Sequence, residues 1–183
     1  MNFMGFDTSN FTEINGKIWV YKNFLSEEEC KNEIKKIKNG KVNKITNNGV
    51  QEIEFDYEFI KNKIIELLDD EVFCGGVMGY DTPINTFWLP HTDLDGPMDK
   101  SYIKQWGIVG YLNEFEGGEL LFPDYGIIVK PEPGDLIVHH ASNYHSVALT
   151  KSSQRITYTS EIVTINGNLN DSERQNAIDF LVN

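Results

Sequence analysis

The sequence predicts a mainly β fold, a sandwich or jelly roll, flanked by helices. Three observations predict it. From residue 72 onward, short runs of β-branched and aromatic residues alternate with turn signals. No helical periodicity interrupts them before about residue 170. Amphipathic helical stretches lie only before residue 70 and after residue 170. Strands are expected near 72–80, 84–91, 103–113, 118–122, 126–130, 135–140, 144–149 and 154–164. Gly117-Gly118, Pro123-Asp124-Tyr125-Gly126 and Pro131-Glu132-Pro133-Gly134 supply the turns between them. About eight short strands at this spacing suit a two-sheet β architecture.

The flanking elements follow in chain order. Residues 1–16 are polar with scattered Phe and read as an arm or an edge strand. Residues 17–21 alternate and predict a strand. Ser26 and Glu29 form a capping-box pattern. The helix that follows presents Cys30, Ile34 and Ile37 on one face and stops near Asn39-Gly40. Residues 39–50, rich in Asn, Gly and Lys, read as a loop. A second helix is expected over about 55–69, with Phe59 or Ile60, Ile64, Leu67 and Leu68 inward. Asp171 to Val182 reads as a closing helix. A chain of 183 residues suits one domain, 1–183, with helical support over about 17–70 and a β core over about 72–165.

Composition narrows the partners. The formal net charge is −12, and the lysines are scattered or gathered in one stretch from Lys31 to Lys44. No basic face is visible for a phosphate backbone, so nucleic acid is an unlikely substrate. Cys30 and Cys74 lack metal-ligand spacing and read as buried free thiols in a reducing compartment. Neither a signal peptide nor a membrane span is visible. The expectation is a soluble, cytoplasmic protein. Two arginines against fourteen lysines, with many Asn and Ile, suggest an AT-rich bacterial or viral genome.

The chemistry lies between His91 and Thr157. In a strand, residues i and i+2 share a face, so His91 and Asp93 can reach one ion while Thr92 points away. His145 comes from another strand and adds a third donor. His139 and His140 compete with it, although a packed strand end accounts for them as well. Two histidines and one carboxylate with open positions suit non-heme Fe(II) oxygenase chemistry. Arg155 follows ten positions after His145. A buried guanidinium requires an anion, and its fork suits a carboxylate. That anion is either a ligand or an ordinary partner such as Glu161 or Glu119. Thr157 shares the face of Arg155 and carries a hydroxyl donor.

Together these pieces resemble the Fe(II)/2-oxoglutarate-dependent oxygenases, and within them the prolyl 4-hydroxylase-like group. The resemblance is carried by His91-Thr92-Asp93, Tyr111-Leu112-Asn113, Gly117-Gly118-Glu119 with Phe122-Pro123, Pro131 to Asp135, His145 and Arg155, and by Phe24 to Cys30. It covers about residues 17–165. It implies a double-stranded β-helix core with flanking N-terminal helices. It further implies Fe(II) on His91, Asp93 and His145, with O2 and 2-oxoglutarate as co-substrates and ascorbate as a candidate reductant. The far carboxylate of 2-oxoglutarate would pair with Arg155, helped by Tyr111 and Thr157, with Tyr80 a further contact. Two residues depart from the group. Arg155 stands where collagen-type enzymes commonly have Lys, and Trp88 stands where many members have Tyr.

The implied reaction is oxidative decarboxylation of 2-oxoglutarate to succinate and CO2, coupled to hydroxylation of an organic substrate. Related halogenases lack the carboxylate, so Asp93 favours hydroxylation. Candidate substrate contacts are Trp88, the Asp95 to Lys100 loop, Tyr102 and, as a lid, residues 39–50. Peptidyl proline, a free amino acid and another small molecule remain open as substrates. The competing class is a cupin-type jelly roll that only binds a metal and a small molecule. An oxygenase of nucleic-acid bases is a weaker rival.

Overall fold

The computed structural model describes residues 7, 9–69, 72–94, 101–151 and 153–182. Its elements run β1 (Phe11–Glu13), β2 (Ile18–Tyr21), α1 (Glu27–Asn39), β3 (Lys41–Ile45), β4 (Gln51–Glu54), α2 (Glu58–Ile65), β5 (Phe73–Cys74), β6 (Met78–Thr82) and β7 (Trp88–His91). There follow β8 (Tyr102–Tyr111), β9 (Leu120–Phe122), a 3₁₀ turn (Pro123–Tyr125), β10 (Ile127–Val129), β11 (Leu136–His140), β12 (His145–Val147), β13 (Arg155–Ile165) and α3 (Asp171–Val182). Two antiparallel sheets form. The larger has the order β1-β2-β11-β8-β13-β6-β4-β3, with β5 also beside β13; the smaller has the order β10-β9-β12-β7. The fold is the expected mainly β jelly roll.

Strand periodicity explains the two cores. Along β2, β8, β11 and β13, alternate side chains point to opposite faces. Trp19, Trp106, Ile108, Leu136, Val138, Ile156, Tyr158 and Ile162 point outward, where Ile37, Ile60 and Ile64 of the two N-terminal helices cover them. Ile18, Val20, Val109, Tyr111 and Ile137 point the other way and meet Leu120, Phe122, Val129 and Val147. A sheet buried on both faces needs continuous apolar runs such as Leu136-Ile137-Val138, which explains why so little polar alternation is visible there. Polar side chains on the inner face are therefore exceptional, and they mark the site.

Local signals place the remaining elements. Ser26 and Glu29 make the reciprocal capping box, with Ser26 N–H donating to Glu29 Oε2 at 2.7 Å and Glu29 N–H to Ser26 Oγ at 3.3 Å. Asp135 is buried in the turn before β11. Its carboxylate accepts from Lys22 Nζ at 2.7 Å and from Glu132 N–H at 2.8 Å, tying that turn to the end of β2. Cys30 and Cys74 are buried free thiols, and burial pushes Cys30 up to about 11. Among the described residues, no helix is long and apolar enough to cross a membrane.

Four expectations change. Residues 39–50 are not a loop; β3 and β4 form a hairpin through the Asn47-Asn48-Gly49 turn, and β4 pairs with β6. Gly49 has φ +85°, which suits the tight hairpin turn that Asn-Gly favours. The strand expected over 72–80 breaks at Gly75-Gly76 into β5 and β6, and that over 84–91 begins only at Trp88. The second helix is shorter than 55–69, burying Ile60 and Ile64 over Glu58–Ile65. Phe11–Glu13 is the edge strand, paired with β2.

Candidate metal and anion site

β7 and β12 pair with His91 and His145 as direct cross-strand partners, so both rings leave the small sheet together toward the large one. Their centroids lie 4.4 Å apart. His91 Nδ1 lies 2.8 Å from the Leu89 carbonyl, and His145 Nδ1 lies 2.9 Å from the Asn143 carbonyl. A carbonyl only accepts, so each Nδ1 carries the hydrogen and each Nε2 offers a lone pair. The same backbone contact orients ligating histidines generally. Burial lowers the His145 pKa, partly opposed by Asp93, and this favours the neutral ring a metal requires.

Asp93 follows the end of β7, where its N–H donates to the Ala141 carbonyl at 3.0 Å. Its Oδ1 is 3.7 Å from His145 Nε2. One ligand atom from each of His91, Asp93 and His145 falls within 4.8 Å of the others. Donors about 2 Å from a shared ion can be no more than about 4 Å apart, so small side-chain adjustments suffice. The donor set of two imidazoles and one carboxylate fits a first-row divalent metal and leaves positions free.

Strand alternation separates the competing histidines. His140 is half-buried on the outer side, edge-on to Trp106 with its Nδ1 2.7 Å from Ser142 Oγ. His139 is buried on the inner face at 1% exposure. Its ring packs against His145, with centroids 4.4 Å apart, and its Nε2 lies 3.5 Å from Asp93 Oδ2. Burial is the main reason its pKa falls to about 4, with Asp93 opposing the shift.

Arg155 opens β13 with its side chain on the inner face and 3% exposed. Gly118, at φ +66°, leaves room for the guanidinium stem; a Cβ there would lie 3.0 Å from Arg155 Cδ. The head stacks over Tyr111 at 5.1 Å and Phe115 at 5.8 Å, and Nη2 donates to Tyr111 Oη at 3.4 Å. Neither expected ion pair forms. Glu161 is engaged by Lys104 at 2.6 Å. Among the described residues, Arg155 has no carboxylate partner, and its buried Nε has no hydrogen-bond partner. A desolvated cation without an anion carries a large penalty.

One cavity of about 310 Å³ joins these groups. His91, Asp93, His145, Arg155, Thr157, Tyr80 and Trp88 all contribute to its wall. Tyr80 and Trp88 meet edge-to-face at 5.9 Å. Tyr111 is behind the guanidinium and does not line the cavity, so it acts on Arg155 from beneath. Tyr102 is at the far end of β8, opposite Ile165, and is not brought to the cavity. The β3–β4 hairpin is not part of its wall either. The Asp95 to Lys100 loop lies outside the described residues.

Some lining residues were not singled out from the sequence, and Glu161 was named only as an ordinary partner for Arg155. Thr159 and Glu161 continue the inward face of β13 after Arg155 and Thr157, and Lys104 closes that end of the cavity. A strict i+2 count along β13 would have found them. No sequence signal separates His139 from His140.

No family model matches the chain, and no curated protein matches it. Solved structures do share its fold. A viral collagen prolyl hydroxylase from Paramecium Bursaria Chlorella virus-1, in its 2-oxoglutarate complex, is 20% identical; the match covers 81% of this chain and 96% of that one, with a TM-score of 0.65. A prolyl hydroxylase from Trichoplax adhaerens, in complex with a hypoxia-inducible-factor peptide fragment, is 14% identical over 92% of this chain and 87% of its own, at 0.64. SnoK, a non-heme α-ketoglutarate-dependent carbocyclase of nogalamycin biosynthesis, is 12% identical over 81% and 79%, at 0.66. At these identities the likeness is one of fold, the double-stranded β-helix of 2-oxoglutarate–Fe(II) oxygenases.

Proposed function

We propose that this chain is an Fe(II)- and 2-oxoglutarate-dependent dioxygenase that hydroxylates an organic substrate. The observation that carries the proposal is a buried guanidinium, without a carboxylate partner among the described residues, in the same cavity as a two-His, one-Asp cluster. A jelly roll that binds only a metal has no use for that cation. The fold shared with 2-oxoglutarate oxygenases adds support.

His91, Asp93 and His145 would hold the iron through Nε2, a carboxylate oxygen and Nε2. Arg155 would receive the far carboxylate of 2-oxoglutarate, its fork kept flat by Tyr111 and Phe115. Thr157 offers a hydroxyl on the same strand face. Val109, Leu120 and Val147 keep the co-substrate end dry, which strengthens the ion pair. When bound, iron, 2-oxoglutarate and O2 together supply oxidative decarboxylation and one oxygen atom for a substrate C–H bond. Asp93 fills the third protein position, which favours hydroxylation over halogenation. Tyr80 and Trp88 form the wall beside the metal cluster; Trp88 is the proposed substrate contact and Tyr80 a further contact to 2-oxoglutarate. The substrate is a small molecule or a peptide. Peptidyl proline is the first to test, because the structures sharing the fold include prolyl hydroxylases, one of them with a peptide bound.

The deciding experiment is anaerobic titration of the metal-free protein with Fe(II) and 2-oxoglutarate. The charge-transfer absorption of the chelate is expected in the wild type and not in His145→Ala. Fe(II) binding without that band would favour a cupin-like binding protein.

A further inference from the structure

His139 stands below Asp93 at the centre of the large sheet, opposite Gly107 of β8 in register. Its ring is wedged between His145 at 4.4 Å and Phe122 at 5.4 Å, and it is 1% exposed. The two histidines address different oxygens of one carboxylate. His145 Nε2 approaches Oδ1 at 3.7 Å, and His139 Nε2 approaches Oδ2 at 3.5 Å. Gly107 leaves the space in which this pair meets: a Cβ there would overlap Asp93 Oδ2 and lie 2.8 Å from His139 Cε1. His139 Nδ1 lies 3.2 Å from the His140 carbonyl, so both ring nitrogens face acceptors. The Nδ1 contact is longer than those of His91 and His145, and the Nε2 approach to the carboxylate is shorter than that of His145, so a neutral ring with its hydrogen on Nε2 would donate toward Asp93.

We infer that His139 is a positioning residue that holds Asp93 by Oδ2, leaving Oδ1 as the carboxylate's single donor to the metal. The inference rests on the metal cluster proposed above and requires neither 2-oxoglutarate nor a substrate. A carboxylate bound through one oxygen has a second that either turns onto the metal or finds another partner. His139 supplies that partner from a direction the metal does not occupy. The consequence is an open coordination position that a two-oxygen Asp93 would fill. Partners behind a ligand commonly alter metal affinity ten- to a hundredfold.

The test is titration of the metal-free protein with Co(II), read by calorimetry and by the visible d–d absorption, without turnover. His139→Phe fills the space and removes the donor. His139→Gln keeps an N–H near the position of Nε2 but is a poor metal ligand. The glutamine variant is expected to bind Co(II) within about threefold of wild type, with the same spectrum. The phenylalanine variant is expected to bind roughly ten- to a hundredfold more weakly, with a weaker d–d band as Asp93 adds its second oxygen. Gly107→Ala places a Cβ between Asp93 Oδ2 and the His139 ring, displaces the carboxylate from that ring and should weaken binding in the same way, which keeps the inference testable if His139→Phe does not fold. Unchanged affinity and spectrum in His139→Phe, or wild-type binding in Gly107→Ala, would overturn the inference. Equal loss in His139→Gln and His139→Phe would also overturn it, making His139 a fourth ligand. Wild-type protein that binds no Co(II) would sink both this inference and the proposed function. Normal Co(II) behaviour without the 2-oxoglutarate band would sink only the latter.

Discussion

Arg155 and the histidines fix the behaviour of the site at the residue scale. Arg155→Ala removes a charge-assisted, forked contact, so the 2-oxoglutarate KM should rise about a hundredfold, corresponding to about 3 kcal/mol. Fe(II) affinity should be unchanged in the same protein. Equal 2-oxoglutarate dependence in the mutant would remove the carboxylate clamp. His139 adds a pH signature to the metal-free protein. An unfolded imidazole takes up its proton near 6.5, whereas folded His139 stays neutral down to about 4. Between those values the unfolded chain binds more protons. The contribution is therefore intact above pH 6.5, declines as pH falls, and is lost by pH 4; it amounts to roughly 3 kcal/mol. Denaturant midpoints from pH 7.5 to 5 should fall more steeply in wild type than in His139→Phe. The adjacent pair His139-His140 also marks the limit of residue-level reading. His91, Asp93 and Arg155 announce themselves by spacing, but only the two faces of β11 separate the inward histidine from the outward one.

β13 and the β3–β4 hairpin teach opposite lessons at the scale of the element. β13 places Arg155, Thr157, Thr159 and Glu161 in one row on its inner face, while Ile156, Tyr158 and Ile162 pack outward. Period two makes that row readable once the strand is recognised. The hairpin was obscured because Lys41 to Ile45 is exposed along its whole length, and a strand without a buried face has no apolar alternation. Its Asn47-Asn48-Gly49 turn was the usable signal. Gly49→Val places a β-branched residue at φ +85° and should cost about 1–2 kcal/mol of stability. Turnover with saturating co-substrate should not change, because the hairpin is not part of the cavity wall. A large loss of kcat at full folding would restore the lid role.

The whole molecule brings ligands from β7, β12 and the segment after β7 into one cluster between two sheets. Metal binding therefore ties two strands of the small sheet, β7 and β12, to the segment that follows β7. At a free metal concentration a hundred times the dissociation constant, binding should stabilise the fold by about 2.7 kcal/mol. For a chain of this size that corresponds to a Tm rise of roughly 5–10 °C. Thermal melts with and without Co(II) should show the rise in wild type and lose it in His145→Ala. The net charge of −12 belongs to this scale as well. Electrostatics oppose approach to a polyanion, so no retention of single-stranded DNA is expected at physiological salt.

The sequence by itself determined the β architecture, the capped first helix, the closing helix and the donor types, because each is written in local periodicity, turn chemistry or short spacing. Only the tertiary structure decided which polar side chains share a cavity. That depends on pairing partners far apart in the chain, such as His91 with His145 and His139 with Gly107. It also decided that Arg155 has no carboxylate partner among the described residues, since Glu161, two strand repeats from Thr157, is engaged by Lys104 from the neighbouring strand. Registers between strands are set by how two faces of one sheet are buried at once, and no window of sequence contains both.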